Sequence, residues 1–298
     1  MRRCILLACA LTLLAASTLW AAPLEVFVSI PPQKTFVERI GGANVDVQVM
    51  VPPGASPATY EPRPRQMADL SRAAAYFAVG VPFERAWLER IAAANPSMRI
   101  VHTESGVERM PIAAHIHEKE EGLGQHDAGH EGEILDPHIW LSPPQVKTQA
   151  LTVMEALSLL DPANSGHYSA QYELFTGELD TLDRRLREIL TPVRGKAFMV
   201  FHPSWGYFAR TYGLEQVAIE VSGGEPSPRE MTDLIGFARR HGIRTIFVQP
   251  QFSRASAESI ARAIQAQVVV ADPLAEDWSD NLLRIAREMR EALDAQGE

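Results

Sequence analysis

Short apolar runs alternate with helical spacings along most of the chain. Residues 24–30 read as a strand stopped by Pro31-Pro32, 45–51 as a second ending at Pro52-Pro53-Gly54, 74–79 as a third and 98–101 as a fourth. Between them, 35–40, 65–73 and 87–94 carry helical patterns. The same rhythm returns later, with strands over 197–201, 216–220, 245–248 and 268–271 and helical patterns over 205–212, 227–241, 255–266 and 281–292. Strands that are apolar throughout and separated by helices predict parallel sheets covered on both faces, hence an α/β fold rather than an all-β sandwich.

The two halves meet at a longer helical pattern. Ser142-Pro143 opens a helix to Leu160, and Asp161-Pro162 restarts the chain, Asp serving as a cap and Pro suiting a first turn. Tyr168, Tyr172, Phe175, Leu179, Leu182, Leu186 and Ile189 then recur at alternating spacings of four and three, which makes one apolar stripe. The stripe ends near Pro192 and Gly195, so the helix holds about 28 residues and spans about 40 Å. A helix of that length between two α/β patterns is expected to be a rigid connector lying across both lobes. Gly213 and Gly242 follow helices at positions where a left-handed cap is wanted. The division expected is a leader over 1–22, a first lobe over 23–161, a linking helix over 162–192 and a second lobe over 193–298.

Composition adds a compartment. Arg2 and Arg3, an apolar run from Ile5 to Trp20 and then Ala21-Ala22-Pro23 make a secretory signal cleaved near Ala22, which predicts an exported or periplasmic protein. Both cysteines, Cys4 and Cys9, lie inside that leader. The mature chain therefore has neither disulfides nor thiolate ligands, and any metal site must use imidazole and carboxylate. Losing Arg2 and Arg3 takes the net charge from −9 to about −11. An acidic chain of this kind suits cations and is poorly suited to nucleic acid or anionic lipid. No membrane insertion of the mature protein is expected.

Residues 104–135 interrupt the α/β rhythm. They are polar and carry His115, His117, His126 and His130 among several glutamates, which reads as a mobile loop able to collect metal or simply to be solvated. Just beyond it stands Asp136-Pro137-His138-Ile139-Trp140, and two apolar runs end in the same way, at His202-Pro203 and Asp272-Pro273. Ligands of parallel sheets bind outside the carboxyl ends of the strands. His138 from the first lobe and His202 and Asp272 from the second are therefore expected to meet around one divalent ion in the cleft between lobes.

Several motifs carry a resemblance that spans essentially all of the mature chain. They are Ser56-Pro57-Ala58-Thr59-Tyr60-Glu61-Pro62, Asp136-Pro137-His138-Ile139-Trp140 with Ser142-Pro143, Phe201-His202-Pro203 with Tyr207-Phe208 and Tyr212-Gly213, Glu225-Pro226-Ser227, and Asp272-Pro273-Leu274 before Asp280-Asn281-Leu282. The chain resembles the metal-specific solute-binding proteins, of the cluster A-I or zinc-receptor-like group, that serve ABC-type importers of zinc and manganese. The resemblance implies two lobes with four-stranded, mostly parallel sheets joined by a backbone helix, a Zn²⁺ ion (alternatively Mn²⁺) held between them, and delivery to a cognate ABC permease by a monomeric protein without catalysis. Zinc-type members carry histidine at the position of His202 and manganese-type members tend to carry glutamate, which favours zinc.

One position departs from that pattern. The family usually has a ligand histidine where this chain has Ala58, and a methyl group binds no metal. The fourth coordination position is left to water, to a bidentate Asp272, to Glu61 or to a loop histidine such as His115 or His117; Glu61 also reads as a carboxylate capping the following helix. Three protein ligands and an open position also describe a catalytic zinc site, so a metallohydrolase stands as an alternative, although no His-Glu-x-x-His motif accompanies it. A periplasmic metal buffer using the loop histidines is a third reading.

Overall fold

The computed structural model describes residues 22–112, 135–220, 223–252 and 254–295. The first lobe runs β1 (Leu24–Val28), α1 (Pro31–Gly41), β2 (Val45–Val49), α2 (Pro64–Asp69), β3 (Ala75–Ala78), α3 (Pro82–Ala94) and β4 (Arg99–His102). Two long helices follow, α4 (Pro143–Leu160) and α5 (Ser165–Leu190). The second lobe runs β5 (Ala197–Val200), α6 (Gly206–Tyr212), β6 (Glu215–Ala218), α7 (Pro228–Arg240), β7 (Thr245–Val248), α8 (Ala255–Ile264), β8 (Gln267–Val270) and α9 (Trp278–Asp294). The strands form two four-stranded sheets ordered β2-β1-β3-β4 and β6-β5-β7-β8. Every pairing between them is parallel.

Continuous apolar strands have a direct explanation in the second sheet. On β5, Ala197 and Met199 enter a core under α7 and α8, whereas Phe198 and Val200 enter the main core. On β7, Ile246 and Val248 join the first of these and Phe247 the second. Successive side chains point to opposite faces, so a strand buried on both sides must be apolar at every position.

Prolines set several helix starts earlier than the apolar spacing suggests. Pro31-Pro32 ends β1 as expected but also opens α1, and Pro82 starts α3 ahead of the pattern at 87. A proline in the first turn gives up an N–H that has no helical partner there, so it starts a helix without loss. Pro162 behaves differently. Residues 162–164 form a 3-10 turn and α5 begins at Ser165, because the Asp161 carboxylate accepts from Asn164 Nδ2 and Tyr168 Oη, both at 2.7 Å. The helix then holds 26 residues, about 39 Å long. Tyr168, Phe175, Leu179, Leu182 and Leu186 of its stripe are buried.

The main core does not stop at a lobe boundary. It includes Phe27 and Phe77 of the first sheet, the α5 stripe, Phe198 and Phe247 of the second sheet, and Ile285 and Met289 of α9. Hydrogen bonds run across the same junction. Trp140 Nε1 donates to the Pro273 carbonyl at 2.7 Å, Trp278 Nε1 donates to the Trp140 carbonyl at 2.8 Å, and the Tyr207 hydroxyl donates to the Asp136 carbonyl at 3.2 Å. These bonds bracket His138 and fix its backbone against the second lobe.

Candidate metal centre

His138 precedes a 3-10 turn, Ile139–Leu141, that leads into α4. Two residues earlier, fully buried Asp136 folds back so that Oδ1 accepts the His138 backbone N–H at 2.9 Å and meets ring Nδ1 at 2.7 Å. A carboxylate only accepts, so Nδ1 carries the proton and Nε2 presents its lone pair. Burial lowers the pKa of His138, opposed by the Asp136 charge and hydrogen bond. Its imidazole is thus held neutral, the form that binds a metal.

His202 follows β5 and is fixed from two sides. Gln249, buried at the end of β7, accepts the His202 N–H at 3.1 Å and donates to its carbonyl at 2.7 Å. Glu220 Oε1, just past β6, meets ring Nδ1 at 2.7 Å, so here too Nε2 is the free nitrogen. Phe252 stacks on the ring with centroids 4.7 Å apart and planes inclined by 22°.

The two imidazoles come from opposite lobes and meet with centroids 5.2 Å apart at an interplanar angle of 73°. Two imidazoles bound through Nε2 to one tetrahedral ion, with Zn–N bonds of about 2.0–2.1 Å, would have centroids roughly 5 Å apart. The spacing fits a shared metal. Both rings line a cavity of about 220 Å³, together with Ala58, Trp140, Gln251 and Phe252.

A family model described as ZnuA, zinc-uptake complex component A, periplasmic, matches residues 26–295. The chain belongs to that family. A solved structure of ZnuA superposes with a TM-score of 0.82 at 43% identity, covering 91% of this chain and 99% of that one. A ZnuA deletion mutant solved with zinc bound is similar at 42% identity and TM-score 0.82, covering 91% and 98%. The high-affinity zinc uptake system protein ZnuA of Bacillus subtilis is 26% identical over 91% of this chain and 86% of its own length. Neighbours at 20–21% identity, among them a solute-binding protein from Pseudomonas aeruginosa in complex with Mn²⁺, share the fold.

The remaining expected residues are placed less closely. Asp272 Oδ1 accepts from Gln251 Nε2 and from the Leu274 N–H, both at 2.9 Å, while Asn281 Nδ2 donates to its carbonyl at 2.8 Å. Among the described residues no three His, Cys, Asp or Glu side chains come close enough to hold one ion, so the structure assembles the histidine pair and leaves Asp272 beyond it. Glu61 is exposed and lies outside the cavity lining. It also stands outside α2, whose first turn holds no acidic residue, so the expected helix cap does not form either. Ala58 lines the cavity. His115 and His117, with most of the expected loop, lie outside the described residues, as does the expected leader through Ala21.

Several side chains that hold the two histidines escape the sequence reading. Asp136 was visible as Asp-Pro-His but gave no sign that its carboxylate turns back onto the ring. Glu220 ends one predicted strand and Gln249 follows another, and strand ends carry ligands and their supports. Neither has a local motif, since each meets His202 only through sheet pairing.

Proposed function

We propose that this protein captures a zinc ion between its two lobes outside the cytoplasm and delivers it to a cognate ABC-type permease. The observation that carries this reading is the pair of imidazoles from opposite lobes, 5.2 Å apart, each with Nδ1 held by a buried carboxylate. His138 and His202 bind through Nε2, and Asp272 joins them with its second oxygen by a movement of its side chain toward the pair. Imidazole and carboxylate donors suit Zn²⁺ first and accept Mn²⁺ as the alternative cargo. ZnuA of Bacillus subtilis is named for high-affinity zinc uptake, which supports the assignment. The leader over 1–22, the lobes over 23–161 and 193–298, and a monomeric mature chain complete the proposal, with His115 and His117 as auxiliary donors.

The role is carriage rather than hydrolysis. A hydrolase needs a free general base beside the metal. The two buried carboxylates nearest the histidines, Asp136 and Glu220, instead accept from the Nδ1 atoms. Competition titration with a chromogenic zinc chelator tests the proposal. Wild type should bind one Zn²⁺ tightly, with His138→Ala and His202→Ala each weakening it by at least about a hundredfold. Equal affinity in wild type and both variants would refute it.

A further inference from the structure

Gln251 links the cavity to Asp272. Its Nε2 donates to Asp272 Oδ1 at 2.9 Å, while its Oε1 is buried and has no hydrogen-bond partner among the described residues. The amide cannot be turned the other way, because Asp272 Oδ1 already takes the Leu274 N–H and would repel an amide oxygen. A buried carbonyl-type oxygen without a donor is costly, on the scale of a lost hydrogen bond, so a donor from outside the described residues is called for. Gln251 and Ala58 line the same cavity as His138 and His202. At about 220 Å³ it exceeds the roughly 10–15 Å³ that one water centre occupies.

We propose that Gln251 completes the metal site in place of a side chain at position 58, its amide nitrogen orienting Asp272 and its oxygen accepting a hydrogen bond from a water bound to the metal. This rests on the reading of His138 and His202 as ligands of one divalent ion. A metal-bound water is a strong donor, since the cation draws charge from its oxygen, and Gln251 Oε1 is the orphaned acceptor on the cavity wall. Gln251 acts as a positioning residue for both Asp272 and the water. The methyl group of Ala58 leaves the space; Gln251 determines what fills it.

The test is a double-mutant cycle on the purified chain, using Zn²⁺ affinity and Co²⁺ visible spectra of wild type, Gln251→Met, Ala58→His and the double variant. Gln251→Met should weaken Zn²⁺ binding roughly 10- to 100-fold in the wild-type background, as loss of an orienting partner does. In the Ala58→His background, where an imidazole displaces the water, the loss should shrink severalfold. Azide should shift the Co²⁺ bands of wild type by replacing the water, and should leave those of Ala58→His unchanged. An equal loss in both backgrounds, or no loss in wild type, overturns the role given to Gln251 while leaving the metal site intact. Absence of tight Zn²⁺ binding by wild type itself removes the site and this proposal together. Unchanged thermal unfolding of metal-free Gln251→Met separates a binding effect from a folding one.

Discussion

Trp278 donates its indole N–H to the carbonyl of Trp140 at 2.8 Å, two residues beyond His138, while the Trp140 indole donates to the carbonyl of Pro273, one residue beyond Asp272. The two indoles thereby join the backbones on which expected ligands from opposite lobes are carried. Trp278 also meets Phe36 edge to face, with centroids 5.0 Å apart. Trp278→Phe keeps most of the ring but leaves the Trp140 carbonyl without that donor, so unfolding should come about 1–3 kcal/mol more easily. Chemical denaturation of the metal-free protein measures this, and a loss below about 0.5 kcal/mol would mean the bond carries no weight.

Glu220→Gln and Asp136→Asn test the carboxylates behind the histidines. Either amide still offers an oxygen to Nδ1 but loses the charge that makes the imidazole a stronger donor to metal. Zinc affinity should fall by about 10- to 100-fold in each variant. Chelator competition gives the number directly, and wild-type affinity in both would remove these groups from the binding role.

Buried Glu84 makes folding depend on pH. It accepts Ser29 Oγ, Val79 N and Gly80 N, yet burial, partly opposed by these bonds, raises its pKa from 4.5 to about 7. A carboxyl whose folded pKa is raised binds a proton more tightly when folded, so it favours the fold below pH 4.5 and loses that contribution as pH rises towards 7. The change amounts to about 3 kcal/mol. Glu84→Gln cannot titrate, so its stability deficit relative to wild type should be larger at pH 5 than at pH 8. Urea midpoints at the two values decide it, and a deficit that grew towards pH 8 would contradict the assignment.

Two glycines should respond oppositely to alanine. A Cβ on Gly206 would stand 2.7 Å from Met110 Cε and 2.8 Å from Asp136 Oδ2, pressing on the carboxylate that orients His138. Gly206→Ala should lose about 1–3 kcal/mol of stability and weaken zinc binding as well. Gly177 lies inside α5 with nothing within 4 Å of the same position, so Gly177→Ala should gain about 0.5–1 kcal/mol without touching affinity. Thermal melts with and without zinc distinguish the pair.

The parts of the fold that were legible in the sequence are those written in local patterns. The α5 stripe, the strands apolar at every position and the left-handed Gly213 after α6 each depend on neighbours a few residues away. That His138 and His202 meet was legible too, His202 from its place before a proline at the end of an apolar run and His138 from the Asp-Pro-His motif beyond the polar loop. What stayed hidden depends on pairings between distant strands. Glu220 reaches His202 because β6 lies beside β5, and Gln249 does so because β7 lies on the other side. Gln251 has no motif, and its significance appears only when one amide atom is bonded and the other is not. The start of α5 lies three residues beyond the expected Pro162 because Asp161 spends its carboxylate on Tyr168 and Asn164 rather than on the N–H groups of a first α-helical turn.

The core shared between Phe27, the α5 stripe, Phe247 and Met289 sets a limit on how an ion enters and leaves. Swinging the lobes apart would pull apolar surface into water at about 25 cal/mol for each Å², on top of the indole bonds broken. Such a molecule behaves less like a trap with a spring hinge than like a vise whose jaws are cast in one piece. Exchange that spared this core would go through the cavity wall, by rotation of the side chains that line it. The residence time of an ion would then follow those rotations, and a receiving surface that touched the wall could hasten its departure without bending the frame.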